Sequence, residues 1–386
     1  MKEKIAIIHA LFDEIGGGEK LALSAIDALV NGGYDVKVYT GTKVDQEKIK
    51  NILGYSLKND DIIHIKSKLS IFLANITGNK AVRLRRLMIY RKLFNKEFLN
   101  KLRDNYDLII DTQSNLPTPT DITYIHFPAT IGTTNKRNFI EKLYDDIVSL
   151  ASKGLTKTRP GRTLTNSKWT ANKIYKEFGI IADILYPPVD LDYFSKVSYG
   201  SHNNKKIITI SRFSPEKGLD KIVDIAKQLK EFDFYIVGAT TPVLSDKVIN
   251  TIKNKIKNEN VKNVFLMPDL PRNELLKIME ESKIYLHPPF AEHFGISIVE
   301  AMASGLVPVV YKDGGGWYDI VSNIDKNLGY KEINEAANSI KYAYEKYDSL
   351  KQLSINISKK FSREEFKLNI LKMVNYALEI KQLEMR

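Results

Sequence analysis

The sequence predicts an α/β protein built from two successive parallel-sheet units. Three observations carry this. The apolar run Ile5-Ala6-Ile7-Ile8-His9 leads into a glycine loop, a helical pattern from Glu19 to about Asn31, and a second apolar run at 36–40. This β-loop-α-β order opens a parallel sheet, whose strands need helical crossovers rather than hairpins. The same order restarts near residue 205. Between the two series stands Tyr186-Pro187-Pro188-Val189-Asp190, whose paired prolines break helix and strand alike.

Each element follows from its pattern. In the first unit, Gly32-Gly33 stops the opening helix, and apolar runs predict further strands at 108–111, 123–125 and 163–165. In the second, strands are expected at 207–211, 234–238, 264–267, 284–287 and 307–311, with a helix over 219–232 and others between. The segment 363–386 reads as a terminal helix. The domain boundaries expected are 1–188, 189–364 and 365–386.

Composition narrows the class. A chain of 386 residues with 43% hydrophobic and 27% charged residues is of globular type. No apolar run approaches the roughly 20 residues that span a bilayer. The apolar opening is short and runs into Asp13-Glu14, so it reads as a strand and not a signal peptide. The absence of cysteine excludes disulfides, thiolate metal sites and cysteine nucleophiles. A cytoplasmic location is expected. The net charge is +12, and the stretch from Lys80 to Arg103 holds nine basic residues against one acid.

Several segments carry chemistry. Gly16-Gly17-Gly18 precedes a helix, where glycine lets backbone approach a phosphate or sugar closely. A dinucleotide fingerprint would need its last glycine where Leu21 stands, which argues against NAD. Ser211-Arg212-Phe213-Ser214-Pro215-Glu216-Lys217-Gly218 follows a strand, so Arg212 and Lys217 are placed to converge on a diphosphate. Glu292-His293-Phe294-Gly295-Ile296-Ser297-Ile298-Val299-Glu300 puts two carboxylates at either end of a loop-to-helix junction. Backbone N–H groups at that helix start are free for an anion, an arrangement suited to a nucleotide-sugar. Glu300 interrupts an apolar run, and a buried acid needs a partner; ribose hydroxyls or an internal salt bridge would both serve. His126, in Tyr124-Ile125-His126-Phe127-Pro128, ends a strand and is read either as structural or as facing a reacting sugar. Asp190-Leu191-Asp192 has a D-x-D form but lies at the interdomain crossing, so no metal is expected there. From Lys80 to Arg103, apolar residues at helical spacing lie opposite Arg83, Arg86, Lys92, Lys96 and Arg103. That face is either solvated or rests on an anionic membrane surface. No nucleic-acid module accompanies it.

Together these segments resemble the retaining glycosyltransferases of family 4, closest to the α-1,2-mannosyltransferase type that extends dolichol-linked oligosaccharides. The resemblance spans nearly the whole chain. It implies a GT-B fold, with two Rossmann-like parallel-sheet domains facing a central cleft and a C-terminal helix crossing back to the N-terminal domain. The N-terminal domain would bind the acceptor and the C-terminal domain the nucleotide-sugar. Arg212 and Lys217 would hold the donor diphosphate, assisted by backbone amides near Phe294, Gly295 and Ile296. Glu292 would bind the transferred sugar, Glu300 the ribose, and Leu270 the base through its backbone. Gly17 and Gly18 would border the diphosphate, and His126 would lie beside the reacting carbon. His293 and the Gly314-Gly315-Gly316-Trp317 loop depart from the family's pattern, leaving donor specificity open.

The resemblance implies transfer of a hexose from a GDP- or UDP-sugar to a saccharide acceptor, lipid-linked, with retention and without a metal or other cofactor. Peripheral attachment to a membrane face through the Lys80 to Arg103 stretch would accompany it. A sugar-nucleotide epimerase of the same fold and a non-catalytic sugar- or lipid-surface-binding protein are the competing readings.

Overall fold

Two parallel sheets organise the chain. The structure is a computed structural model that describes residues 2–12, 16–53, 56–65, 70, 72, 82–131, 160–197, 205–241 and 244–384. By contacts the chain divides into one unit of Met1–Pro188 with Glu364–Arg386, and a second of Val189–Arg363.

The first unit runs β1 (Lys4–Ile8), α1 (Gly17–Asn31), β2 (Asp35–Thr40), α2 (Gln46–Leu53), β3 (Ile62–His64), α3 (Val82–Leu93), α4 (Lys96–Asn105), β4 (Leu108–Asp111), β5 (Ile122–Ile125), β6 (Arg162–Thr165), α5 (Lys168–Phe178) and β7 (Asp183–Ile184). Its sheet has the order β3-β2-β1-β4-β5-β6-β7, parallel at every pairing. The alternation of β1 explains the two-sided core. Ile5 and Ile7 join a cluster with Leu21 and Leu29 of α1, while Ala6 and Ile8 join one with Leu87 and Tyr90 of α3.

The second unit runs α6 (Leu191–Ser195), β8 (Lys206–Ile210), α7 (Lys221–Gln228), β9 (Asp233–Gly238), α8 (Leu244–Asn258), β10 (Val264–Pro268), α9 (Arg272–Glu281), β11 (Ile284–Leu286), α10 (Ile296–Ala303), β12 (Val307–Tyr311), β13 (Gly329–Tyr330), α11 (Ile333–Glu345) and α12 (Tyr347–Ser358). Its sheet order is β10-β9-β8-β11-β12-β13, again parallel. Counting strands within each unit, both sheets follow the doubly wound order 3-2-1-4-5-6, which reverses between the first and fourth strands.

The final helix, α13 (Arg363–Glu384), returns to the first unit. Phe366, Ile370, Val374 and Leu378 fall four apart and enter the same cluster as Ile5 and Leu21. Lys367 pairs with Asp27, and Lys381 donates to the carbonyl of Asp107 at 2.7 Å. A side chain at Gly32 would meet Leu371 at 2.8 Å, so glycine lets the end of α1 sit against α13.

The basic stretch differs from expectation. It is two helices, because the Asn95 side chain accepts from Phe98 N at 2.8 Å and caps a new start. Of the expected basic face, Lys92, Lys96 and Arg103 are exposed and Arg86 is half-buried, while Arg85, outside that face, is buried. Lys80 and the side chain of Arg83 lie outside the described residues. The expected helix over 219–232 is shorter, at Lys221–Gln228, and strands β3, β7 and β13 were not anticipated. Among the described residues no helix is long and apolar enough to cross a membrane.

Candidate active site

In the second unit the chemistry collects where the strand order reverses. The loop from Ser211 to Gly218 leaves β8, and the segment from His287 to Gly295 leaves β11, its neighbour in the sheet. Open α/β sheets bind ligands outside the carboxyl ends of such strands. Gly238, at the end of β9, holds the first loop close: a side chain there would lie 1.8 Å from the Ser211 carbonyl. Gly218 closes the loop at φ +59, in the left-handed region that favours glycine.

The juxtaposition brings Lys217 and Glu292 together, 75 residues apart in sequence, with Nζ to Oε2 at 2.9 Å. His287 Nε2 stands 3.7 Å from the same carboxylate oxygen, and the Lys217 ammonium lies 4.2 Å from the Phe290 ring centroid. Burial alone would raise the Glu292 pKa; His287 and the Lys217 charge outweigh it and hold the carboxyl well below the usual carboxylate range. Glu292 is therefore an anion at neutral pH and an acceptor only. Burial pushes the neighbouring His293 below its ordinary value, so it is neutral there.

The segment is braced from behind by the Gly314–Gly316 loop. Gly315 N donates to the Glu292 carbonyl at 2.7 Å. A side chain on Gly314, at φ +88, would strike that carbonyl at 2.3 Å, and one on Gly316 would meet Ile298 at 2.5 Å. This loop therefore fixes the Glu292 backbone.

Helix α10 starts at Gly295, whose φ of +107 turns the chain sharply. The Phe294 ring packs edge-on against Phe361, with centroids 5.4 Å apart, so its side chain is structural. The first N–H groups of α10, from Ile296 onward, stand at a helix end without a side-chain cap. Ser297 Oγ bonds the Tyr285 hydroxyl at 2.9 Å, and burial, then the charges of Glu292 and Glu300, shape the environment of that phenol. Both acids thus lie around Tyr285, with Glu300 half-buried one turn beyond Ser297. Arg212 is exposed, and its side chain makes no ion pair among the described residues. Leu270 follows β10 in a loop tied down by Asp269, which accepts from Thr240 N at 2.8 Å.

The first unit has its own cluster at the matching reversal, between β1 and β4. His9, fully buried, bonds Thr112 Oγ1 through Nδ1 at 2.9 Å, and its Nε2 lies 3.6 Å from Glu19 Oε1. Gln113 Nε2 reaches the same oxygen at 3.2 Å. The other Glu19 oxygen accepts Gly16 N at 2.8 Å, closing the glycine loop onto α1. Burial raises the Glu19 pKa, but His9 and the backbone bonds prevail and leave it lowered. His126 ends β5 beside this loop: a side chain at Gly18 would sit 3.6 Å from its Nε2. That nitrogen is 3.0 Å from the Thr112 carbonyl, an acceptor, so Nε2 carries the proton. Burial drives the His126 pKa down to about 4, and the imidazole is neutral at physiological pH.

Of the residues singled out from sequence, Lys217 and Glu292 meet directly, Glu300 lies near Glu292, and Gly18 adjoins His126. His9, Glu19, Gln113 and His287 were missed. The visible signals were His9 and His287 at strand ends, and a glutamate three residues into a glycine-opened helix. Asp190, of the D-x-D segment, faces Arg272 at 3.6 Å, and among the described residues no group of three or more His, Asp or Glu could hold a metal.

Residues 194–360 match the family described as Glycosyl transferases group 1. The second unit is a group 1 glycosyltransferase domain. The chain is 28% identical over 233 residues, 55% of its length, to a GDP-Man:Man(3)GlcNAc(2)-PP-Dol alpha-1,2-mannosyltransferase of Dictyostelium discoideum. That match spans only 46% of the Dictyostelium protein, so the chain covers about half the length of this relative. An alpha-1,3/1,6-mannosyltransferase of Kluyveromyces lactis is 26% identical over 82% of this chain and 70% of its own. Among solved structures, sucrose-phosphate synthase of Thermosynechococcus elongatus matches with a TM-score of 0.70 at 14% identity, over 98% of this chain and 100% of its own. Anabaena HepE, solved with UDP and glucose, matches with a TM-score of 0.66 at 15% identity, over 97% and 99%. At such identities these two structures speak for the fold alone, two Rossmann-like parallel-sheet domains of GT-B type. The glycosyltransferase domain contains every second-unit residue described above from Arg212 to Glu300.

Proposed function

We propose that the protein is a retaining hexosyltransferase that moves a sugar from a nucleotide diphosphate donor to a lipid-linked saccharide. The Lys217–Glu292 pair beside the start of α10, at the strand-order reversal of a group 1 glycosyltransferase domain, carries this reading. Leaving-group departure builds negative charge on the diphosphate. Arg212, Lys217 and the N–H groups near Gly295 and Ile296 stabilise it, the kind of contribution that dominates such sites. Anionic Glu292 accepts hydrogen bonds from the transferred sugar, and Glu300 from the ribose. Leu270 contacts the base through its backbone.

In the first unit, Gly17 and Gly18 permit close backbone approach to the substrate. Neutral His126, with its proton on Nε2, offers Nδ1 as an acceptor to the reacting sugar. Glu292 is ionised and paired with Lys217, and the acceptor hydroxyl passes its proton to the departing phosphate as it attacks from the same face. The reaction as proposed needs no metal.

The likeness to the Dictyostelium GDP-Man:Man(3)GlcNAc(2)-PP-Dol mannosyltransferase favours GDP-mannose as donor and a lipid-diphosphate-linked oligosaccharide as acceptor; the cytoplasmic face of a membrane is where the proposal places their meeting. The test is to incubate the protein with GDP-mannose or a UDP-hexose and a lipid-linked saccharide. A gain of one hexose in product mass, with retained anomeric configuration, is expected. Release of an epimerised donor without acceptor, or no turnover of any donor, would overturn the proposal.

A further inference from the structure

Helix α13 is apolar on two sides. On one, Phe366, Ile370, Val374 and Leu378 are buried in the core of the first unit. The opposite side of a helix packed in this way is ordinarily polar. Here Leu368, Tyr376 and Leu383 stand 54%, 53% and 68% exposed, with Ile380 beside them. Apolar side chains collected on one exposed face mark a contact surface.

Steps of four residues set this face in two adjoining rows, Leu368-Lys372-Tyr376-Ile380 and Asn375-Glu379-Leu383, exposed at every position. The rows complement each other when one is reversed. A second α13, turned end for end, sets Leu383 against Leu368, Glu379 against Lys372 and Asn375 against Tyr376. The same rotation repeats the three contacts with the copies exchanged, which is the closure a two-fold symmetric interface requires. Within one chain Lys372 and Glu379 are seven residues apart, about 10 Å along the helix, too far to pair with each other. Neither has another ion-pair partner among the described residues. Asn375 accepts from the Tyr34 hydroxyl through its side-chain oxygen, which leaves its amide N–H groups for a facing tyrosine hydroxyl.

An anionic membrane would repel Glu365 and Glu379, which share this face with the leucines. A second copy satisfies the charges and the apolar residues together. We propose that the exposed face of α13 binds a second copy of this chain, the two helices running antiparallel about Asn375 and Tyr376. The contact goes beyond the donor chemistry and does not depend on it. A helix of 22 residues, about 33 Å long, makes a small interface, so association is expected in the micromolar range.

The test is sedimentation equilibrium of the full chain from roughly 1 to 200 μM. The mass of the wild type should rise from one chain toward two. Leu368→Glu with Leu383→Glu should stay monomeric throughout and melt like the wild type when dilute, since both side chains are exposed. Lys372→Glu sets glutamate against glutamate twice in its own dimer, and Glu379→Lys sets lysine against lysine. Each alone should associate about ten-fold more weakly than the wild type. Mixed together, the two single variants carry opposite charges at both contacts, so they should form a mixed dimer as tight as the wild-type one. A wild type that stays monomeric overturns the proposal and leaves the face to a different protein or a membrane. Undiminished dimers of the folded double leucine variant overturn this surface as the interface. Charge variants that dimerise like the wild type, or that gain nothing on mixing, overturn the antiparallel pairing.

Discussion

The two units share one strand order and fill its reversal differently. In the first, His9, Thr112, Gln113 and Glu19 form a largely buried set of hydrogen bonds that holds a glycine loop. In the second, the same place in the fold carries a Lys217–Glu292 ion pair, an exposed Arg212 and an uncapped helix start. The fold supplies a crevice in both; the residues decide whether it positions backbone or binds charge.

The largest expected effects fall on the charged side of this comparison. Arg212→Ala should lower turnover by about a hundred-fold or more. Its melting temperature should not change, since no pairing among the described residues is lost. Lys217→Ala should cost at least as much activity, and some stability too, because Glu292 is left half-buried without its ammonium. Near-normal turnover in Arg212→Ala would break the assignment of diphosphate binding to this loop.

Gly314→Ala tests whether the loop behind Glu292 matters. The added carbon meets the Glu292 carbonyl, and the left-handed backbone adds strain, so activity and melting temperature should fall together. Full activity would mean that the position of Glu292 is unimportant.

Next come two effects of pH. The folded Glu292 pKa lies below its unfolded value, so its stabilisation is complete above about pH 4.3 and fades as pH falls toward the folded value. His126 behaves differently. Its folded value of about 4 lies below the unfolded one, so the unfolded chain binds the extra proton first. Stability is therefore lost as pH falls from about 6.5 toward 4 and levels off below. Denaturant midpoints across pH 7 to about 4 should show that loss in the wild type and a smaller one in His126→Gln. Equal slopes would contradict a neutral, half-buried imidazole.

The smallest effect is expected at Glu19. Replacing it by alanine frees Gly16 N and also takes the carboxylate from Gln113 Nε2 and buried His9, so it should cost at least about 1 kcal/mol, the scale of a lost helix cap. Its signature is a raised donor KM, partly restored in Glu19→Gln, which keeps an acceptor for Gly16. Thermal melting and steady-state kinetics together check it.

Much of this was legible in the sequence, and the exceptions share a cause. Strands such as Leu108–Asp111 and Val307–Tyr311 are apolar runs with clear ends, and Arg212, Lys217 and Glu292 stand out as charges at strand or helix ends. The strands at Ile62–His64, Asp183–Ile184 and Gly329–Tyr330 are two or three residues long at sheet edges, and only pairing with a neighbour makes them strands. The split at Asn95 had a signal, a capping asparagine before Lys96-Glu97, that the continuous apolar spacing obscured. His9 and His287 became informative only through partners far away in sequence or across a loop: Thr112, 103 residues on, for His9, and Glu292 for His287. Contacts of that range leave no local pattern.

The most direct test is calorimetric titration of GDP and UDP into the wild type and into Lys217→Ala, Arg212→Ala and Glu19→Ala. The expected result is measurable binding of one nucleotide diphosphate, weakened about ten-fold or more by each basic-residue substitution and much less by Glu19→Ala. Affinity indifferent to Lys217 and Arg212, or more sensitive to Glu19 than to either, would contradict the placement of donor charge recognition in the second unit.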